Sequence, residues 1–137
     1  MKKLFYSSLA VASLTLSALT SCEKDEGKLP EIEFKTGTGY TYADATIAGG
    51  TTVKIGIEAK KEENKDVLKK FDISESVNGG TLTSIYNVDV PQAQEDEYEY
   101  DFTTTLDTTS GDTHKYTFTI TNRDGLTNQV SLTLTIQ

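Results

Sequence analysis

One thiol, one imidazole and a row of carboxylates are the chemical resources of this chain. Cys22 and His114 are its only Cys and His. A lone Cys excludes an intrachain disulfide, and one Cys with one His cannot build a Cys/His zinc cage. Any Ser/His/Asp set would have to include His114. That residue stands at the start of an alternating segment, on the same side as Tyr116, near the rim of a core. No G-x-S-x-G elbow accompanies it, and no Walker sequence or dinucleotide fingerprint occurs. The densest acidic stretch is Glu95-Asp96-Glu97-Tyr98-Glu99-Tyr100-Asp101, five carboxylates in seven residues. In a strand, Glu97, Glu99 and Asp101 share the wet face, and hard cations want several oxygens at close range. A weak calcium site would therefore draw on Glu97, Glu99 and Asp101. The spacing matches no EF-hand loop, so the expectation is a solvated outer face and no cofactor. Asp107-Thr108-Thr109-Ser110-Gly111-Asp112 offers two acids and three hydroxyls, which suit a plain turn, as does Asp124. Tyr40 and Tyr42 lie outside the strongest alternating runs, where half-burial against a sheet edge is the ordinary fate of Tyr.

The elements that must position these groups read as strands. Val53, Ile55, Ile57 and Ala59 alternate with polar residues or Gly, and so do Tyr98, Tyr100 and Phe102. Tyr116, Phe118 and Ile120 do the same, as do Val130, Leu132, Leu134 and Ile136. Period two gives each run one apolar and one wet face, the pattern of antiparallel sheets packed face to face. Shorter candidates are 32–35, 71–74 and 84–90, with Tyr40-Thr41-Tyr42 as a further one. Thr makes up 22 of 137 residues, which favours strand over helix. Gly49-Gly50, Asn78-Gly79-Gly80 and Asn122-Arg123-Asp124-Gly125 supply turns, the last suited to a type I turn with a bulge. Residues 60–70 hold good helix formers with little apolar periodicity, so they read as one or two helical turns or a charged connection.

About seven short strands in one small domain predict an all-β, antiparallel, immunoglobulin-like β-sandwich, with a small closed barrel as the alternative. Asp112-Thr113-His114-Lys115-Tyr116-Thr117-Phe118 resembles the Asp-x-x-x-Tyr-x-Cys stretch that opens strand F of immunoglobulin domains. That resemblance implies a tyrosine-corner role for Tyr116 and puts Phe118 where the Cys would be. It further implies that Ile55 or Ile57 replaces the other Cys and that Phe71 replaces the buried Trp.

The N-terminus reads as an address. Lys2 and Lys3 precede an apolar stretch, Leu4 to Leu19, and no charge follows Lys3 until Glu23. This is the layout of a secretory signal peptide. Leu19-Thr20-Ser21-Cys22 resembles the lipobox of bacterial lipoproteins. The resemblance implies cleavage between Ser21 and Cys22 and acyl chains on Cys22, which anchor at about 0.8 kcal/mol per buried methylene. Lys24-Asp25-Glu26 resembles the lipoprotein export signal of Bacteroidota, which implies transport to the outer face of the outer membrane.

The expected organisation is therefore a signal peptide over 1–21, a lipidated Cys and polar tether over 22–30, and the sandwich over 31–137. Removing residues 1–21 takes away two Lys and no acid, so the charge falls from −8 to −10. Such a chain repels nucleic acid and anionic lipid. The mature chain resembles the small single-domain immunoglobulin-like surface lipoproteins of Bacteroidota. The expected function is non-catalytic: a membrane-anchored module that contacts a protein or glycan. The alternatives are an accessory subunit of a glycan-handling complex and a small carboxylate-dependent hydrolase.

Overall fold

The computed structural model describes residues 27–137. The expectations for the signal peptide, Ser21, Cys22 and the export signal Lys24, Asp25 and Glu26 lie outside the described residues. Eight strands follow in order: β1 (Glu31–Phe34), β2 (Ala45–Ile47), β3 (Thr52–Lys60), β4 (Leu68–Val77), β5 (Thr83–Asp89), β6 (Glu97–Thr105), β7 (Thr113–Asn122) and β8 (Thr127–Ile136). They form two sheets, one ordered β1-β3-β6 and the other β2-β8-β7-β4-β5. Two separate sheets make a sandwich rather than a closed barrel. The strand order is that of an immunoglobulin-like domain, with β3 and β6 facing β4, β7 and β8.

The alternation seen in the sequence decides which side chains face inward. Val53, Ile55, Ile57 and Ala59 of β3 are buried, and so are Tyr116, Phe118 and Ile120 of β7 and Leu132, Leu134 and Ile136 of β8. Phe71 has no exposed surface and is surrounded by aromatic rings. Tyr98 lies 5.1 Å from it, Tyr100 5.4 Å and Phe118 6.4 Å between centroids. Phe71 thus occupies the central position that the immunoglobulin resemblance gave it. Tyr86 of edge strand β5 stacks on Tyr100 of edge strand β6 at 4.8 Å, which closes that side of the core with two rings. Offset and tilted aromatic pairs add to the burial of their apolar area.

Of the two readings of residues 60–70, the charged connection holds over 61–67, which carry no helical turn, and Leu68 already belongs to β4. Three local expectations need revision. β4 is longer than the sequence pattern suggested. A bulge between Leu68 and Lys70 puts two exposed Lys residues side by side and breaks the period of two. Tyr40-Thr41-Tyr42 is not a strand. The extra strand is instead β2, three residues long, and it pairs parallel to β8, so the larger sheet is mixed rather than purely antiparallel.

The strands run between two poles. The entering chain, the β3–β4 connection and the β7–β8 hairpin share the first pole. There Asn122 donates through Nδ2 to Asp66 at 2.6 Å and to the Lys28 carbonyl at 3.3 Å, while Asn128 donates to the Pro30 carbonyl at 3.0 Å. The β4–β5 hairpin, the β6–β7 loop and the C-terminus share the second pole. At the hairpin, Asn78 and Gly79 both have positive φ, and Gly80 N–H donates to the Val77 carbonyl. This two-residue reversal is what Asn-Gly favours. Among the described residues no helix is long and apolar enough to cross a membrane.

Candidate functional site

The second pole holds the most concentrated polar chemistry of the domain. On β4 the inward series Phe71, Ile73 continues to Glu75. On β7 the inward series Ile120, Phe118, Tyr116 continues to His114. β4 and β7 are neighbours, with Glu75 opposite Tyr116. Where the core ends, period two therefore delivers a carboxylate and an imidazole in place of apolar side chains. His114 is only 7 % exposed and stacks on Tyr116, with ring planes 13° apart.

Both imidazole nitrogens meet carboxylates. Nδ1 lies 2.8 Å from Glu75 Oε1, and Nε2 lies 2.7 Å from Asp107 Oδ2. Burial works to lower the His114 pKa, but the hydrogen bonds and charges of Glu75 and Asp107 outweigh it and raise the value. The backbone N–H of Thr109 donates to Asp107 Oδ1 at 2.9 Å. With the His114 contact, that bond holds the Asp107 carboxyl below its ordinary value, against some burial. Burial, and the neighbouring Glu75 charge, push the Tyr116 phenol well above its usual range.

Asp112 completes the cluster. The Asn78 side chain reads both the loop and the strand: Oδ1 accepts from Thr113 N–H at 2.8 Å, and Nδ2 donates to Asp112 Oδ1 at 3.1 Å. The loop is further pinned to β8, since Gly111 N–H donates to the Ile136 carbonyl and Ile136 N–H donates to the Asp112 carbonyl. Ligand-capable atoms of Asp107, Asp112 and His114 all lie within 4.8 Å of one another.

The acidic row on β6 is arranged differently. Glu97, Glu99 and Asp101 are exposed on the outer face, as the alternation predicts. Glu99 and Asp101 share one ammonium: Lys35 Nζ lies 3.1 Å from Asp101 and 3.4 Å from Glu99. Tyr40 donates to Asp101 Oδ2 at 3.0 Å. Its ring lies under Lys54 Nζ, 4.4 Å from the centroid, on the flat seat left by Gly56. Burial tends to raise the Asp101 carboxyl, but Lys35 and Tyr40 together bring it below its ordinary value. A cation at this row would have to displace Lys35, and the carboxylate cluster that converges on one point is at the other site. Tyr42, by contrast, is 48 % exposed.

Sequence reasoning singled out Asp107, Asp112 and His114 separately and missed Glu75. The three lie within eight residues, whereas Glu75 is 39 positions from His114 and arrives only through the β4–β7 pairing. A weak signal existed: Glu75 continues the inward parity of Phe71 and Ile73.

No family model matches the chain, and no curated protein matches it significantly. Solved structures do. A superoxide reductase (neelaredoxin) from Ignicoccus hospitalis, the T24K form, is 11% identical, with a TM-score of 0.53 over 85% of this chain and 86% of that one. A second structure of the Ignicoccus hospitalis protein gives 10% identity and a TM-score of 0.52 over 80% of this chain and 81% of that one. A CARDB domain from Pyrococcus furiosus is 14% identical, with a TM-score of 0.47 over 80% of this chain and 99% of that domain. At such identities the likeness to the two reductase structures is one of fold: a small all-β sandwich.

Proposed function

We propose that the protein is a lipid-anchored surface module that works by contact, presenting its second pole to a protein or glycan. The observation that carries this reading is the placement of the two poles. The chain enters at the first pole, where Pro30 is buried and the Lys28 carbonyl is held by Asn122. Acyl chains on Cys22 would hold that pole toward the outer membrane. The second pole then points away from it, and it carries both the His114 cluster and exposed apolar side chains, Val77 at 42 % and Leu82 at 50 %. Exposed apolar groups beside polar ones are a common composition for a contact surface.

The hydrolase reading draws no support from Asp101. A catalytic pair needs one acid whose pKa is raised by burial. Asp101 is shifted the other way and is already bound to Lys35.

Intact cells fed an alkyne-palmitate probe, then treated with protease, test the reading. The wild-type polypeptide should carry the probe and be lost on shaving, and Cys22→Ser should carry none. A wild-type chain that takes up no probe, or one that survives shaving but is cut after lysis, overturns it.

A further inference from the structure

We propose that His114 Nε2 and carboxylate oxygens of Asp107 and Asp112 form a binding site for a divalent transition-metal ion, with zinc as the reference case. The inference concerns the second pole alone and does not depend on a lipid anchor.

Convergence is the first argument. The three donors lie within 4.8 Å of one another. Donors at about 2.0–2.2 Å from a zinc ion stand a little over 3 Å apart, so a small closure suffices. Asp107 sits in an exposed loop that can supply it.

The partners behind each donor are the second argument. A metal-binding imidazole commonly donates its other N–H to a carboxylate, which fixes tautomer and ring orientation. Glu75 takes that place at Nδ1, 2.8 Å away, and leaves Nε2 as the ligand nitrogen. Thr109 N–H holds Asp107 Oδ1, and Oδ2 is the oxygen turned to the imidazole. The Asn78 amide holds Asp112 Oδ1. Each donor is thus oriented by a group from outside the ligand set.

Charge is the third argument. Three carboxylates surround one nearly buried imidazole. Among the described residues the ion pairs of Glu75 and Asp107 run to His114, and Asp112 has an amide rather than a cation as its partner. The acidic row on β6 has Lys35 for this purpose. A divalent ion would supply the missing positive charge.

The donor set chooses the class of metal. One imidazole nitrogen with two carboxylate oxygens suits zinc and its first-row neighbours, whereas calcium takes an all-oxygen shell. Binding exchanges the Nε2 proton, released to solvent, for the metal, while the Nδ1 proton stays on the ring and is donated to Glu75. Three protein ligands leave a position for water or for a donor from a contacting partner.

The test is a zinc titration of the full chain in detergent, on a Cys22→Ser background that removes the only thiol. Calorimetry should give one zinc per chain. In 1H–15N spectra the single imidazole should show its Nε2 resonance shifted and Nδ1 still protonated. Asp112→Asn should weaken binding at least about tenfold, Glu75→Gln about 10–100-fold, and His114→Gln should remove it. Asp112→Asn keeps the hydrogen-bonding shape and decides the matter if His114→Gln fails to fold. An imidazole unmoved at saturating zinc, or wild-type affinity in Asp112→Asn, overturns the proposal.

Discussion

The side-chain amide of Asn122 donates to the Asp66 carboxylate at 2.6 Å, with both residues only 2 % exposed. The same Asn accepts from the backbone N–H groups of Asp124 and Leu126, so one residue both turns the β7–β8 hairpin and neutralises the polarity of a buried acid. Replacing it by Ala leaves a buried carboxylate and two backbone donors short of partners. Asn122→Ala should cost about 2–3 kcal/mol, read as a lower urea midpoint. Asp66→Asn, which removes the charge and keeps acceptor and shape, should cost less. Equal losses in the two variants would mean that packing, not the hydrogen bonds, sets the stability of this pole.

Phe71 is the ring around which the core is arranged. It has no exposed surface and lies within 6.4 Å, centroid to centroid, of Tyr86, Tyr98, Tyr100 and Phe118. Truncation opens a cavity that four neighbouring rings cannot all collapse into. Phe71→Ala should lose about 3–5 kcal/mol in equilibrium denaturation. Phe71→Leu should lose clearly less, since it refills part of the volume. A loss below 1 kcal/mol in Phe71→Ala would show that the cluster repacks freely.

Asp72 lies on the wet face of β4 and accepts from Ser74, Ser84 and Asn87. Partial burial works to raise its carboxyl, but these three donors overcome it and bring the pKa below the ordinary 3.8. The folded value is lower than the unfolded one, so the stabilisation is full above pH 3.8 and fades as pH falls through the folded value. At pH 7, Asp72→Ala should therefore be less stable than wild type by about 1 kcal/mol, a figure held down by solvent screening. The gap should narrow in denaturant curves taken below pH 3.8. A gap that does not change with pH would remove Asp72 from the account.

Much of this architecture is legible in the sequence. The runs 53–59, 98–102, 116–120 and 130–136 alternate cleanly because each strand has one wet and one dry face. The unreadable parts are those where that rule is locally suspended. The bulge at Leu68 and Lys70 disguised the start of β4 as helix-forming sequence. The strand β2 is too short to show a period. At the candidate site, Asp107, Asp112 and His114 are near in sequence, but Glu75 becomes their neighbour only through strand pairing, which a local pattern does not carry.

Gly56 gives a sharper test of how the outer face is built. A Cβ there would lie 2.6 Å from Tyr40 Cε1, 2.8 Å from Asp101 Oδ1 and 2.8 Å from Lys35 Cδ. All three are side-chain rather than backbone atoms, so side chains and not the sheet must give way. Gly56→Ala should therefore lift Tyr40 off the sheet while shifting overall stability by under about 1 kcal/mol, since Ala also costs less backbone entropy in a strand. The Lys54 ε-methylene protons, next to the Nζ that sits over the Tyr40 ring, should lose their ring-current shift in NMR spectra. Unchanged Lys54 shifts in a folded Gly56→Ala protein would mean that the ring is held by something other than the glycine seat.

The opposition of the two poles makes a prediction about distance. Gly27 is already held against the β7–β8 hairpin, where an added Cβ would lie 3.2 Å from Leu126 Cδ1 and 3.3 Å from Asp124 Oδ2. Only residues 23–26 then separate it from Cys22, a span of at most about 17 Å when extended. β4 has ten residues and runs from the first pole to the second, a rise of about 33 Å. With acyl chains on Cys22, a fluorophore at Asn64→Cys on the first pole should be strongly quenched by acceptor lipids in a vesicle. One at Thr81→Cys on the second pole should be quenched weakly. Such a short leash does not let the body turn over easily, so the contrast should survive averaging over its motion. Equal quenching at the two positions would show that the body lies on its side or tumbles freely, and the second pole would lose its claim to be the presented surface.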